Sequence, residues 1–106
     1  MNHVLTECGG MPHMTDPYVF IGSTSDTVEL VLDESWDAYE VSLCIGGYVA
    51  KWDGESLMDV PSCAITEPGW VEVVLTGTAE DGSYRTTRPG TKILRAIGKR
   101  QEVVEP

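Results

Sequence analysis

Residues 39–52 read YEVSLCIGGYVAKW, and this pattern predicts a β-hairpin. Apolar side chains occupy every second position from Val41 to Ile45, so an extended strand here has one apolar face. Gly46-Gly47 follows at once, and two-residue hairpin turns favour glycine because they need positive φ. Tyr48–Trp52 then supplies the return strand, which makes this hairpin the firmest local prediction in the chain.

Short β-like segments continue on both sides of this hairpin. Turn residues such as Pro68-Gly69 and Asp81-Gly82 separate them, and no window combines helical periodicity with capping residues. A single short helical turn is predicted, at Ser35–Asp37 or at Cys63–Ile65. The pattern indicates an all-β domain, either a β-sandwich or a small barrel. The further predicted strands are Tyr18–Ile21, Thr27–Asp33, Leu57–Val60, Trp70–Thr76, Ser83–Thr87 and Thr91–Ile97.

The chain of 106 residues has the length of one domain. Residues 1–16 contain Gly9-Gly10 and Pro12 with little alternation, which predicts an irregular N-terminal arm. The β-sandwich is expected over residues 17–98. Residues 99–106 are predicted to be a polar C-terminal tail.

Charge is strongly acidic and unevenly placed. The chain has 17 acidic and 7 basic residues, for a net charge of −10, which argues against direct nucleic-acid or membrane binding. Residues 1–60 hold only one base, Lys51, whereas residues 61–106 hold six acids and six bases. A mixed soluble surface explains this split, and so does head-to-tail docking of copies. Docking makes Arg95, Lys99 and Arg100 candidate subunit contacts.

Catalytic and metal-binding patterns are weak. Both histidines, His3 and His13, lie in the predicted arm, where a general base lacks a fixed partner. The chain has three cysteines, and an odd number cannot all form intramolecular disulfides, so free thiols are expected. No Cys-x-x-Cys pair is present, so no metal site is expected. Neither Gly-Gly pair has the lysine and helix of a phosphate loop. We therefore expect a protein that is not an enzyme and has no cofactor.

Aromatic residues offer a second functional hypothesis. The chain has three tryptophans and four tyrosines. One or two tryptophans can fill the core between two sheets, which is the simpler interpretation. Alternatively, exposed rings form a platform that stacks on sugar rings of a host-surface glycan. Trp52, Tyr48 and Trp36 are the candidate glycan or partner contacts, because Trp52 ends the predicted hairpin.

Five short sequence features follow one another between Thr27 and Ile97, and their order is informative. They are an acidic tryptophan-containing corner, a hairpin, a Val-Pro step, a Pro-Gly turn into a strand ending in glycine, and a Thr-Thr pair. In this chain they are Leu32–Asp37, Tyr39–Trp52, Val60-Pro61, Pro68–Gly77 and Thr86-Thr87. In this order they resemble the N-terminal module of baseplate and tail-fibre proteins from phages that infect Gram-positive hosts.

The resemblance implies an immunoglobulin-like antiparallel β-sandwich of about seven or eight short strands. It implies a non-enzymatic virion structural or attachment module, made in the host bacterial cytoplasm, which docks onto other virion proteins or forms a homo-oligomer. One departure from the family is that Ser62-Cys63 replaces a frequent aromatic-acid pair. The other is that the sequence reaches Pro106 without a fibre shaft, so we expect either a short free-standing virion protein or the head of a longer one. The alternatives are a small carbohydrate-binding module and an acidic inhibitor of a nucleic-acid-handling protein.

Overall fold

The computed structural model describes residues 2–54, 57–60 and 65–98. In these residues the chain forms ten strands and one 3-10 turn, η1 (Glu34–Trp36). The strands are β1 (Asn2–Cys8), β2 (Met11–Met14), β3 (Tyr18–Phe20), β4 (Thr27–Val31), β5 (Tyr39–Ile45), β6 (Tyr48–Lys51), β7 (Met58–Asp59), β8 (Gly69–Ala79), β9 (Tyr84–Thr86) and β10 (Lys92–Ile97).

Two sheets enclose one apolar core. The smaller sheet has the order β2-β1-β4-β7, and the larger has the order β3-β10-β8-β5-β6 with β9 beside β8. Apolar side chains from both sheets pack together, including Leu5, Val28, Leu30, Leu43, Leu75 and Leu94. Burial of this shared face is the main stabilising term, as in any two-layer β domain. The prediction of an all-β, sandwich-like fold is confirmed.

The pairing is not purely antiparallel, which corrects part of the sequence-based expectation. Strand β1 runs parallel to β4, and β3 runs parallel to β10. The remaining pairs among the described residues are antiparallel. Ten strands rather than seven or eight are present in the described residues. The two additional strands, β1 and β2, come from the N-terminal segment.

Residues 1–16 are not an irregular arm, and this prediction was wrong. Strand β1 lies inside the smaller sheet, between β2 and β4. Gly9 and Gly10, with φ of 61° and 84°, form the two-residue turn of a β1–β2 hairpin. Its buried face includes His3 and Pro12 beside Leu5, so the alternation does not look apolar in the sequence.

The central hairpin forms as predicted. Strands β5 and β6 pair up to Ile45 and Tyr48, with positive φ at Gly46 and Gly47. The helical turn is found at η1, one of the two predicted places, where the Asp33 carboxylate accepts a hydrogen bond from the Ser35 backbone N–H. Residues 63 and 64 of the other place, and the predicted tail 99–106, lie outside the described residues.

Strand β8 continues three residues beyond its predicted end at Thr76. The extension pairs with β5, and at Gly77 the backbone passes directly against the Tyr39 side chain. A Cβ at position 77 would lie 2.8 Å from the Tyr39 Cβ and 3.2 Å from the Trp36 ring. Glycine is therefore required here by close packing, in the middle of a strand where it is otherwise unfavourable.

Gly77→Ala is expected to destabilise the fold by about 1–3 kcal/mol, because the added methyl group overlaps a side chain anchored close to its own backbone. Gly98→Ala is the matched control, since a Cβ at position 98 meets no atom within 4 Å. Urea unfolding followed by tryptophan fluorescence measures both. Equal midpoints for the two variants would contradict the packing argument.

Candidate functional site

Trp36 is buried at the corner between β4 and β5, with 3% of its surface exposed. Its indole Nε1–H donates a hydrogen bond of 3.0 Å to the Glu7 carboxylate on β1. Arg85 on β9 covers the indole, with its Cζ 4.1 Å from the ring centroid, and lies 3.4 Å from the same Glu7 carboxylate. The ring of Trp36, a candidate glycan or partner contact, is therefore held inside the fold, with little of its surface exposed.

Glu7 is the hub of this corner. Its side chain is only 6% exposed. It accepts hydrogen bonds from the Trp36 indole and from the Gly10 backbone N–H at 2.7 Å. These two bonds, with a smaller contribution from the Arg85 guanidinium, hold the pKa of Glu7 below its ordinary value of 4.5 despite the opposing effect of burial. The carboxylate is thus stabilised in its ionised form by folding.

Glu7→Gln is expected to lower the free energy of unfolding by about 1–3 kcal/mol at neutral pH, because buried charge-assisted hydrogen bonds are lost. A lowered folded-state pKa gives stability that is present above pH 4.5 and is lost as the pH falls through the folded-state value. The stability difference between the two proteins should therefore shrink in acid. Urea midpoints from pH 7 to pH 3 measure it.

Glu80→Gln is the control for Glu7→Gln, because Glu80 is exposed. Asp33 and Asp81 also have lowered pKa values, each through hydrogen bonds from a nearby serine, but both stay in every variant and cancel in the comparison. Curves for the wild-type and Glu7→Gln proteins that stay parallel down to pH 3 would contradict this role.

A cleft of about 390 Å³ opens beside this corner, and we call it the acidic cleft. Trp36 and Trp52 both line it, so the structure brings two of the three candidate contact residues together. Tyr48, which is 48% exposed, is not among its lining residues and lies at the other end of β6, next to the Gly46-Gly47 turn. The full lining is Leu32, Asp33, Trp36, Asp37, Tyr39, Glu40, Val41, Trp52, Asp53 and Gly54.

The acidic cleft combines carboxylates with aromatic walls. Four acids line it, and no lysine or arginine is among its described lining residues. Lys51 approaches Glu40 at 3.8 Å, but both side chains are 79% exposed, so this ion pair neutralises little. Such a cleft has the chemistry to receive a cationic side chain, since carboxylates attract it and rings can stack on it.

A second surface lies on the outer face of the larger sheet, and we call it the aromatic strip: Tyr18, Phe20, Trp70 and Arg95. The three rings are 51%, 53% and 59% exposed. Arg95 on β10 pairs with Tyr18 on β3 and with Trp70 on β8. The side chains of Tyr18, Arg95 and Trp70 therefore lie in one row across the three strands. The Arg95 Cζ lies 5.9 Å from the Trp70 ring centroid. Three exposed rings in one place are unusual for an isolated small domain.

The charge pattern of the sequence identified Arg95 as a candidate contact, but none of the three rings beside it, Tyr18, Phe20 and Trp70, was identified. The available signal was the alternation Tyr18-Val19-Phe20, in which the valine is buried and both rings point outward. The other two candidate docking residues, Lys99 and Arg100, lie outside the described residues. A shallow cavity of about 350 Å³ is lined in part by Trp70 and Arg95, so the aromatic strip is not flat.

The histidines and cysteines do not converge. His3 is fully buried, with Nδ1 2.7 Å from the Asp16 carbonyl oxygen and Nε2 3.3 Å from the Asp26 carboxylate, whereas His13 and Cys8 are exposed. Within residues 2–54, 57–60 and 65–98, no three His, Cys, Asp or Glu side chains are grouped to hold a metal ion. No helix in this part of the chain could span a membrane.

Comparison of the chain with family models, with curated proteins and with solved structures finds no match. The two surfaces described above, the acidic cleft and the aromatic strip, are therefore the basis for a functional proposal.

Proposed function

We propose that this chain is a non-enzymatic structural or attachment module of a phage virion, which docks onto other virion proteins or onto itself. The aromatic strip is the observation that carries the proposal. Water contact of three large rings costs free energy that a docked partner removes, and aromatic residues with arginine are enriched in protein interfaces. The proposal assigns no catalytic residue and no cofactor to the chain.

The order of structural features supports the phage module. The acidic corner is η1, the hairpin is β5–β6, and the Pro-Gly turn leads into β8. The strand order supports an immunoglobulin-like assignment in which the adjacent strands β10-β8-β5 would be G, F and C, and β4 beside β7 would be B and E. We therefore keep immunoglobulin-like topology as part of the proposal, with the β1–β2 hairpin as an addition.

The proposal predicts protein–protein association in solution. Light scattering on a sizing column, over a concentration series at low and high salt, should show a defined oligomer or a concentration-dependent rise in mass. High salt should reduce the mass, because charge contributes to the contact and salt screens it. A protein that stays monomeric in every condition would contradict the self-associating form, leaving docking onto another virion protein to be tested by co-purification with virion components.

Glycan binding is a second candidate function, favoured by the acidic cleft. Trp52 and Tyr39 provide rings, and the carboxylates provide acceptors for sugar hydroxyl groups. The cleft predicts a change in tryptophan fluorescence when soluble cell-wall glycans are added, with the change lost in Trp52→Ala and kept in Tyr48→Ala. Saturable binding by the monomer would favour this function over the structural one, and no response to any glycan would remove it.

A further inference from the structure

We propose that the aromatic strip of one copy docks onto the acidic cleft of a second copy, with Arg95 directed towards the cleft carboxylates. This inference rests on the proposed function and specifies the partner and both contact surfaces. Arg95 was a candidate subunit contact on its own. The inference adds the three rings beside Arg95 to this contact and names the acidic cleft as the surface that they bind.

Charge complementarity between the two surfaces points to this partner. Arg95 is the charged residue of the aromatic strip, and the nearby Glu72 carboxylate on β8 accepts a hydrogen bond from the Gly90 backbone N–H. The acidic cleft has four carboxylates and no described cationic lining residue. A partner for the strip must supply acidic groups beside apolar surface, and this chain itself carries such a surface.

The molecule already contains the same kind of contact. Arg85 stacks on Trp36 and lies beside the Glu7 carboxylate, so arginine, tryptophan and acid combine in one buried cluster. The acidic cleft offers Trp52 with Asp37 and Glu40 at its open side. Arg95 of a second copy would find there the chemistry that Arg85 uses inside the fold.

Strand β8 keeps the two surfaces apart. Trp70 stands near its start, and Ala79 at its end pairs with Tyr39 of the cleft wall. Trp70 and Ala79 are nine positions apart, which corresponds to about 30 Å at about 3.3 Å per residue. One copy therefore cannot satisfy its own cleft, and strip-to-cleft contacts between copies give a reciprocal two-fold dimer, a larger closed ring or an open chain of copies.

The contact is expected to be weak on its own. The three rings of the strip expose on the order of 300 Å² of apolar surface, well below the roughly 800 Å² per partner of a standard stable interface. Association should therefore depend on protein concentration and salt. In a virion, the repetition of such contacts around a ring or along a tube would supply the missing strength.

Two surface variants test the contact. The strip variant is Trp70→Ala with Arg95→Glu, and the cleft variant is Asp37→Lys with Glu40→Lys. All four side chains are exposed, so both proteins should fold, which circular dichroism and thermal melting verify. A control variant, Glu29→Lys with Asp59→Lys, makes the same charge change as the cleft variant at exposed positions of the smaller sheet.

The expected result is complementation. Each surface variant alone should remain monomeric where the wild-type and control proteins assemble. An equimolar mixture of the two variants should give a complex of twice the monomer mass and nothing larger, because only one strip and one cleft remain intact. Light scattering over a concentration series measures all samples.

Other outcomes overturn the inference and are distinguishable. A cleft variant that still assembles, with a strip variant that does not, would mean that strips pair with each other. A mixture that stays monomeric would exclude strip-to-cleft docking even though the wild type assembles, and would leave the structural function intact. A wild-type protein that never assembles would overturn this inference together with the self-associating form of the proposed function.

Discussion

The hydrogen bond from the Trp36 indole to the Glu7 carboxylate is the contact on which the rest of the structure depends. It ties β1 of the smaller sheet to the corner that leads into β5 of the larger sheet. Three other features contact the Trp36 ring in this position. Arg85 stacks on it, the backbone at Gly77 packs against it, and it lines the acidic cleft. One buried acid thus connects core packing to the shape of a surface feature.

Local pattern predicted the parts of the fold that are local. The hairpin at 39–52 follows from side-chain alternation and paired glycines, which are visible within a few residues. The turn at η1 was one of two places predicted for a helical turn, and the structure shows that the Asp33 carboxylate caps it. The N-terminal hairpin carried the same Gly-Gly signal, but the buried His3 and Pro12 concealed its alternation. His3 is tolerated inside because both ring nitrogens face oxygen atoms, of the Asp16 carbonyl and the Asp26 carboxylate.

Long-range contacts decided what the sequence could not show. Trp36 is buried because Glu7, 29 positions away, meets its N–H, and nothing near Trp36 in the sequence indicates that partner. The parallel pairing of β3 with β10 likewise joins segments from opposite ends of the chain, and it alone assembles Tyr18 and Arg95 into one surface. Arg95 was identified from charge, whereas the rings that accompany it needed the register of three strands.

The exposed aromatic strip borders on an edge strand, and the shortness of that strand matters for function. Long exposed edges invite further strands and lead to aggregation, so natural proteins keep them short or covered. Strand β3 has only three residues. On the side facing away from β10, its Tyr18 N–H donates to the Asp16 carbonyl and its Phe20 carbonyl accepts from the Ser23 N–H. Few backbone groups are therefore left for strand addition. A partner of this surface must recognise side chains on the sheet face, which favours specific docking over unlimited growth of the sheet.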